Sequence, residues 1–335
     1  MLHAEFRSLV LFSIASLVFA QQTQVASAND WPSWRGPHRS GIAVDETGLQ
    51  SEWADDGPEL KWQIDGLGQG YSSIAIADGR IFTMGKRKNG CELIAFDLKG
   101  GRELWATLVK GGNPNCTPTV DGGLVYALGR DGHLVAADAV TGKITWEKDF
   151  PKDFGGRMMS GWGYSESPLI DGDRLVCTPG AKAAVIVALN KKTGETIWKS
   201  AMPDDIGGRG KDGAGYSSIV ISYAKDVKQY VQLTGRGVIS IDAKDGTQLW
   251  SYNRIANGTA NISTPLVKGD FVFCSTGYGT GAALVQVKKE GDRLVANEKY
   301  FLDAKKMQNH HGGMIVYADH IYCGHGHNNG FPLCI

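Results

Sequence analysis

The sequence predicts an all-β protein, a β-propeller built from four-stranded antiparallel blades. Two observations indicate this fold: a turn signature recurs four times without gaps, and a second landmark divides the chain into units of about 48 residues, the length of one blade. The chain also has 45 Gly and 9 Trp in 335 residues, which suits short strands joined by tight turns better than a helical bundle. We therefore expect about six blades in this chain.

The recurring signature is Ala-x-Asp-x-x-Thr-Gly-x-x-x-Trp. Its four copies occupy residues 93–105, 134–146, 186–198 and 238–250. In each copy an Asp or Asn precedes a Trp by eight residues, as in Asp97 and Trp105, Asp138 and Trp146, Asn190 and Trp198, and Asp242 and Trp250. The pattern predicts a hairpin whose turn carboxylate accepts main-chain N–H groups, with Gly at positive φ and the Trp packed against the adjacent repeat. A fifth copy keeps Gly291 but lacks the Asp and the Trp.

The second landmark is a pair of small or Pro-containing residues that opens each unit. The pairs are Ser72-Ser73, Thr117-Pro118, Ser167-Pro168, Ser217-Ser218, Thr264-Pro265 and Gly312-Gly313. They follow one another at intervals of 45 to 50 residues, and each is followed by an apolar strand, a turn and a second strand. Together with the signature hairpin, every unit therefore holds four strands. A β-helix would need shorter rungs than these.

The N-terminus predicts export. An apolar run of thirteen residues, Ser8 to Ala20, is too short to span a bilayer and is followed by small residues suited to cleavage after Ala20 or Ala28. We predict a signal peptide over residues 1–28, an N-terminal extension over 29–59 and the propeller over 60–335. An uncleaved anchor is the alternative. The mature chain is then periplasmic or extracellular in a Gram-negative-type cell, without a transmembrane segment.

Charge and cysteine content limit the classes of partner and the kinds of cysteine site that the chain is expected to have. The 35 basic and 35 acidic side chains cancel, so no net electrostatic field favours binding of nucleic acid. We also expect the protein to be a monomer. None of the six Cys residues forms a Cys-x-x-Cys pair, which excludes zinc-ribbon and thioredoxin-type sites. Export permits disulfides, but spacing does not assign them. Buried thiols on strands are the simpler interpretation.

The signature units resemble the tryptophan-docking repeats of pyrroloquinoline-quinone-like (PQQ-like) propellers. That family includes quinoprotein alcohol dehydrogenases and a non-catalytic outer-membrane assembly lipoprotein. Trp31-Pro32-Ser33-Trp34-Arg35-Gly36-Pro37 and Leu60-Lys61-Trp62 resemble the start of exported, planctomycete-type members. The resemblance implies seven or eight blades in the complete ring, with Leu60–Trp62 as the outer strand of the closing blade. The last residues match the strand before a turn Asp, so we expect a chain truncated before that turn.

Candidate binding residues lie just before the opening pairs, because equivalent positions of all blades surround one mouth of the channel. Structural positions repeat, whereas a site should depart from the repeat. The stretch 157–166 departs most and predicts a binding wall, with a loop capping its own blade as the alternative. The candidate ligand-binding residues are Trp162, Tyr164, Glu166, Tyr216, Asn261, His310 and His311.

Histidines concentrate near the C-terminus. His325 and His327 could share one strand face and ligate a metal, but no third ligand is apparent, so we predict no metal site. His310 and His311, at the predicted mouth, are better candidates for hydrogen bonding or proton exchange.

The resemblance to quinoprotein dehydrogenases implies a test of cofactor binding. Those enzymes hold calcium and PQQ with a carboxylate and an amide, use an Asp base, and carry a disulfide between adjacent cysteines. This sequence has no Cys-Cys pair and no clear Glu, Asn and Asp trio. We therefore predict no catalytic residue and no cofactor: an exported, non-catalytic scaffold for a protein or glycan ligand at the channel face. The alternative is a PQQ- or metal-dependent oxidoreductase.

Overall fold

The computed structural model describes residues 30–44 and 46–335, so the predicted signal peptide lies outside the described residues. The described strands form six antiparallel sheets, five of four strands and one of three. In every sheet the strand order follows the chain, which is the up-and-down meander of a propeller blade. The predicted all-β propeller with about six blades is confirmed.

The strands follow the predicted units. Blade 1 comprises β1 (Ala75–Ala77), β2 (Arg80–Arg87), β3 (Gly90–Asp97) and β4 (Glu103–Leu108). Blade 2 comprises β5 (Thr119–Asp121), β6 (Leu124–Leu128), β7 (His133–Asp138) and β8 (Ile144–Asp149). Blade 3 comprises β9 (Leu169–Asp171), β10 (Arg174–Cys177), β11 (Ile186–Asn190) and β12 (Thr196–Ser200).

The second half of the chain continues the series. Blade 4 comprises β13 (Val220–Ser222), β14 (Gln229–Thr234), β15 (Gly237–Asp242) and β16 (Gln248–Tyr252). Blade 5 comprises β17 (Leu266–Lys268), β18 (Phe271–Thr276), β19 (Gly281–Glu290) and β20 (Arg293–Asp303). Blade 6 comprises β21 (Ile315–Tyr317), β22 (His320–His325) and β23 (Phe331–Cys334). A short helix, α1 (Phe150–Phe154), follows β8, and a 3-10 turn (Ala224–Asp226) follows β13.

The signature residues build the turn between the third and fourth strands of a blade. In blade 2, Asp138 Oδ1 accepts the N–H of Thr141 at 2.7 Å and of Val140 at 3.1 Å. Gly142 has a φ of 72°, and the equivalent Gly101, Gly194 and Gly246 have φ values of 67°, 72° and 80°. This backbone conformation is easy only for glycine, which is why the position recurs as Gly.

Three of the four signature Trp residues lie on the turn of the next blade. A Cβ atom on Gly142 would come within 2.5 Å of the Trp105 ring, and one on Gly194 within 2.8 Å of Trp146. Gly246 and Trp198 repeat the relation at 2.6 Å. The indole fits because the turn residue has no side chain. The repeat therefore joins consecutive blades as well as folding each hairpin.

The series changes at both ends. Trp250 has no signature turn in blade 5 to cover, and its Nε1–H donates within its own blade to Gln229 Oε1 at 2.7 Å. At the other end, a Cβ on Gly101 would lie 3.1 Å from the ring of Trp62. Trp62 thus takes the place on blade 1 that Trp105 takes on blade 2. Residues 60–62 form no strand, so the predicted outer strand at this position is not present.

The opening pairs link the inner ends of the blades by a hydroxyl relay. The main-chain N–H of each opening residue donates to the side-chain hydroxyl of its counterpart in the next blade. The four bonds run from Ser73 to Thr117 (3.3 Å), Thr117 to Ser167 (3.1 Å), Ser167 to Ser218 (3.0 Å) and Ser218 to Thr264 (3.0 Å). The sixth pair is Gly312-Gly313, which has no hydroxyl to continue the relay. Ser or Thr therefore recurs because its oxygen bridges two blades.

A segment of the predicted N-terminal extension, residues 31–40, fills part of the central channel, and we call it the plug. Trp31 and Ile76, the middle residue of β1, exchange two main-chain hydrogen bonds of 2.8 Å. The N–H of Val120 in β5 donates to the Pro32 carbonyl at 2.7 Å. The plug therefore pairs with the innermost strands of two blades.

Two arginines attach the plug farther around the ring. Arg39 donates to the carbonyls of Ser167 at 2.7 Å and Pro168 at 2.9 Å, at the start of β9. Arg35 donates to the Met314 carbonyl beside β21. Only around the axis do the first strands of blades 1, 2, 3 and 6 come within reach of one short segment. Part of the extension thus belongs inside the propeller.

The core lies between neighbouring blades, where the side chains of their middle strands are buried.

All six cysteines are free thiols, and four of them are buried. Within residues 30–44 and 46–335, no helix has the length and apolar character needed to cross a membrane.

Candidate functional site

Two mouths of the channel differ in what forms them. The loops before each first strand, with the turns between second and third strands, form one end, which we call the loop mouth. The turns between first and second strands form the opposite end, the turn mouth, because successive antiparallel strands reverse direction. All seven sequence-predicted candidates belong to the loop mouth.

The loop of residues 155–164 crosses the loop mouth over several blades. Met159 N–H donates to the Ala214 carbonyl at 3.0 Å, before blade 4. Ser160 Oγ donates to the Thr259 carbonyl at 2.7 Å, before blade 5. Arg130, between β6 and β7 of blade 2, donates to the Gly161 carbonyl at 3.1 Å. A segment that departs from the repeat is thus held by three other blades, which fixes its conformation.

The aromatic side chains of Tyr71 and Trp162 are exposed on this mouth. Trp162 is 64% exposed, and Tyr71, which precedes the first opening pair, is 82% exposed. Hydrogen bonds connect their loops through the intervening blade: Tyr71 N–H donates to the Pro114 carbonyl at 2.8 Å, and Asn115 Nδ2 donates to the Trp162 carbonyl at 2.9 Å. We call Tyr71, Asn115 and Trp162 the aromatic rim. Tyr and Trp are enriched at protein interfaces, which makes the aromatic rim a candidate binding surface.

Three other candidates are buried and hold the loops together. Tyr164 OH donates to the Pro179 carbonyl at 2.9 Å, and burial raises the pKa of this phenol. Tyr216 OH lies 2.6 Å from Ser160 Oγ. Asn261 is fully buried, with Nδ2 donating to the carbonyls of Thr234 at 2.9 Å and Gly235 at 3.1 Å. Their polar atoms already have partners, so these residues stabilise the loop mouth and do not line an open surface.

Glu166 is also buried, at the inner end of blade 3. Its carboxylate accepts the main-chain N–H of Thr178 at 2.6 Å and the Thr178 hydroxyl at 3.0 Å. Gln232 Nε2 of blade 4 lies 3.4 Å away. Burial raises the pKa of Glu166 to about 8, although Thr178 and the more distant Arg39 favour the charged form. The Glu166 side chain is therefore an internal acid between two blades.

Arg39 of the plug is the cation that faces this acid. The residue is 7% exposed, and its Nε has no hydrogen-bond partner among the described residues. Burial lowers the pKa of Arg39 to about 10, while Glu166 raises it. The charges interact across a gap longer than an ion pair, since no guanidinium nitrogen of Arg39 lies within 4 Å of a Glu166 carboxylate oxygen.

His310 and His311 form part of a stack beside blade 6. The His310 ring lies 3.6 Å from His311 and 4.0 Å from His327, measured between centroids. His310 hydrogen-bonds Asn328 Oδ1 and Tyr278 OH, both at 2.8 Å. Burial, followed by the neighbouring imidazoles, lowers the pKa of His310. His310 is buried, whereas His311 is exposed.

The histidines do not form a metal site. His325 ends β22, but His327 lies beyond it in a turn with a φ of 57°, so the two rings do not share a strand face as the sequence analysis considers. In the stack the His310 ring faces those of His327 and His311 at interplanar angles of 26° and 32°, which is ring stacking and not the convergence of nitrogen atoms on one ion. Within the described part of the chain, no group of three or more His, Cys, Asp or Glu side chains is arranged to hold a metal ion.

Comparison of the sequence with protein-family models identifies the family of this chain. The profile of the family described as outer membrane protein assembly factor BamB matches residues 89–331, most of the propeller. The chain belongs to this family. It is 22% identical over 280 residues to BamB of Shewanella oneidensis and 28% identical over 229 residues to BamB of Burkholderia pseudomallei. These alignments cover 78% and 65% of this chain but 65% and 55% of the two relatives. The chain thus spans less than two thirds of the length of these curated relatives.

Solved structures share the fold. BamB from Moraxella catarrhalis superimposes with a TM-score of 0.53 at 14% identity, covering 78% of this chain and 71% of that one. The quinohemoprotein alcohol dehydrogenase from Comamonas testosteroni superimposes with a TM-score of 0.52 at 15% identity, covering 91% and 52%. At these identities the likeness is one of fold alone.

The described residues do not offer the set that the resemblance to quinoprotein dehydrogenases implies for PQQ and calcium. The six cysteines are free, and no two are adjacent. The one carboxylate among the candidates, Glu166, is buried with Thr178 and Gln232 as its partners. The residues present therefore do not fit that cofactor.

Sequence reasoning missed the plug. Trp31, Arg35 and Arg39 lie outside the repeat, and a short segment before the first blade gives no periodic signal. The polar residue types Arg and Ser are usually exposed, whereas here Ser33 and Arg39 are each 7% exposed. The one available signal was the density of Trp and Arg in residues 31–39.

Proposed function

We propose that this chain is an exported binding module that holds a protein ligand on the aromatic rim of its loop mouth. The observation that supports this most is the exposure of Tyr71 and Trp162, at 82% and 64%, on loops fixed to one another by hydrogen bonds. Exposed aromatic side chains on a rigid support supply contact area at a low cost in conformational entropy.

The geometry favours the rim over the channel interior. The plug occupies part of the channel, and Tyr164, Glu166, Tyr216 and Asn261 are buried with their polar atoms engaged. Trp162, Tyr71 and His311 are exposed on the loop mouth, where a macromolecule can contact them. Of the seven predicted residues, the proposal therefore keeps the exposed ones, Trp162 and His311, as ligand contacts and adds Tyr71.

A protein ligand agrees with the family. The relatives are named outer membrane protein assembly factors, so an unfolded outer membrane protein is the natural probe. The rim offers aromatic surface with Asn115 as a polar neighbour, a composition typical of the centre of protein interfaces.

The test measures the affinity of the purified chain for an unfolded outer membrane β-barrel protein diluted from urea. Trp162→Ala and Tyr71→Ala should each weaken binding by about tenfold, the usual effect of removing an interface aromatic. Val140→Ala is the matched control, because Val140 is 59% exposed on the turn between β7 and β8 at the opposite end of blade 2.

If wild type and both rim variants bind the unfolded protein with equal affinity, the aromatic rim is not its binding surface. Aromatic platforms also stack on sugars, and a glycan ligand was predicted alongside protein. Oligosaccharide binding that Trp162→Ala abolishes, with no binding of the unfolded protein, would replace the proposed ligand class.

A further inference from the structure

A cavity opens into the channel at the turn mouth. This cavity of about 610 Å³ lies between the first strands of blades 3 to 6, and residues 37–40 of the plug form its inner wall. This volume is within the range of small ligand sites, about 300–1,000 Å³. The site lies at the opposite end of the channel from the aromatic rim.

The walls of this cavity repeat one structural position. Each first strand has three residues, and its middle residue directs N–H and C=O away from the second strand, as alternation in an antiparallel pair requires. The middle residues share the same register against the second strand, and those on the cavity are Ile170, Ile221, Val267 and Val316.

The same position is already used for strand pairing elsewhere in the channel. In β1 the middle residue is Ile76, which exchanges both main-chain hydrogen bonds with Trp31 of the plug. In β5 it is Val120, which donates to Pro32. Among the described residues, the four counterparts on the cavity have no main-chain partner on their channel side.

From this repetition we propose that the cavity binds an extended, apolar peptide segment of a partner protein, which adds main-chain hydrogen bonds to β13 and β17. A strand supplies alternating donors and acceptors, which match the free N–H and C=O groups of Ile221 and Val267. Its side chains meet aliphatic walls that include Leu169, Val220 and Leu266. A compact apolar molecule would fill the space but leave those main-chain groups without partners.

The probe is a fluorescein-labelled hexapeptide of alternating valine and threonine, titrated into the full chain by fluorescence anisotropy. The peptide should bind, and a version N-methylated at alternate residues should bind at least about tenfold more weakly, because it loses several main-chain donors at once. Equal binding of the two peptides, or no binding of either at millimolar concentration, would overturn the proposal.

Amide hydrogen exchange locates the peptide. The amides of Ile221 and Val267 should exchange rapidly in the free chain and become protected with the unmethylated peptide. The Ile76 amide is the internal reference, because it donates to Trp31 and should be protected in both states. Amides of Ile221 and Val267 that are slow before peptide is added would show that another part of this chain covers them, which contradicts the proposal.

Variants separate this site from the proposed function. Ile221→Pro removes the channel-facing N–H and leaves the main-chain hydrogen bonds between β13 and β14 in place, a change that edge strands tolerate, and it should weaken peptide binding by about three- to tenfold. Ile221→Val retains the N–H and should bind as wild type. If Ile221→Pro does not fold, the N-methylated peptide and the amide hydrogen exchange measurements still test whether the peptide pairs with the main chain. Trp162→Ala should leave peptide binding unchanged, so either site can fail without the other.

Discussion

At the scale of single residues, Glu166 and Arg39 show how far burial changes chemistry in this protein. Glu166 is 2% exposed with hydrogen bonds to Thr178, and its charge partner is the Arg39 guanidinium on a different segment. Desolvation outweighs these favourable contacts, so the pKa rises to about 8. The position was predicted from the sequence as a departure from the repeat, but its burial depends on the plug and on blade 4, which no local pattern shows.

The raised pKa of Glu166 gives a pH dependence of stability. Between its ordinary pKa near 4.5 and about 8, the unfolded chain loses the proton while the folded chain retains it. The contribution of this group to stability is therefore highest at low pH and falls as the pH rises through that window. Glu166→Gln should have nearly wild-type free energy of unfolding at pH 5 and be more stable than wild type at pH 9.

Urea unfolding at both pH values checks this expectation. The other titratable groups contribute equally to variant and wild type, so their effects cancel in the difference between the two free energies of unfolding. We expect a gain on the order of a few kcal/mol at pH 9, since one pKa unit corresponds to about 1.4 kcal/mol. A variant less stable than wild type at pH 9 would mean that the ionised carboxylate is favoured in the folded protein.

At the scale of elements, the hairpin and the docked Trp form one unit that repeats across blades. The Asp, Gly and Trp spacing predicts the turn, because each residue type answers a local requirement. Which surface the Trp covers was predicted only as an adjacent repeat, and the structure assigns it to the turn Gly of the next blade. The hydroxyl relay was present in the sequence as opening pairs, but its register needed the structure: in units 1 and 4 the bonded residue is the second of the pair, Ser73 and Ser218.

Glycine substitutions test this unit. Gly194 and Gly172 have similar φ values, 72° and 59°, but a Cβ on Gly194 would lie 2.8 Å from Trp146, whereas one on Gly172 would meet nothing within 4 Å. Gly172→Ala should cost roughly 1–2 kcal/mol from backbone strain alone. Gly194→Ala should cost a further 1–3 kcal/mol or so, because the Trp146 ring has to move.

Thermal and urea unfolding of the two variants give the comparison directly. Equal destabilisation by both would mean that Trp146 does not depend on the turn of blade 3, and the docking account would be wrong at that interface.

At the scale of the whole molecule, the plug connects parts of the ring that are far apart in sequence. Trp31 pairs with blade 1, Arg39 with the start of blade 3, and Arg35 with blade 6. The sequence predicted the blades and their number because repetition amplifies a weak local signal. The plug occurs once, and its position follows from long-range contacts, so no repetition revealed it.

A double-mutant cycle tests the connection between plug and blades. Arg39→Met and Glu166→Gln, alone and together, should show a favourable coupling at pH 9, where Glu166 is ionised, and almost none at pH 6, where it is neutral. Urea unfolding supplies the four free energies at each pH. Coupling of equal size at both pH values would indicate contact through packing and not through charge.

The most direct test of the central claim, that the aromatic rim is the ligand-binding surface, is site-specific photo-crosslinking in cells that produce the protein. A photoreactive amino acid replaces Trp162, Tyr71, Val140 or Tyr223, the last two being exposed positions on the opposite end of the ring. The account predicts that positions 162 and 71 capture the same discrete protein and that position 140 captures none. Position 223, beside the cavity at the turn mouth, should not capture that protein. Capture at position 140 or 223 with none at 162 and 71 would contradict the account.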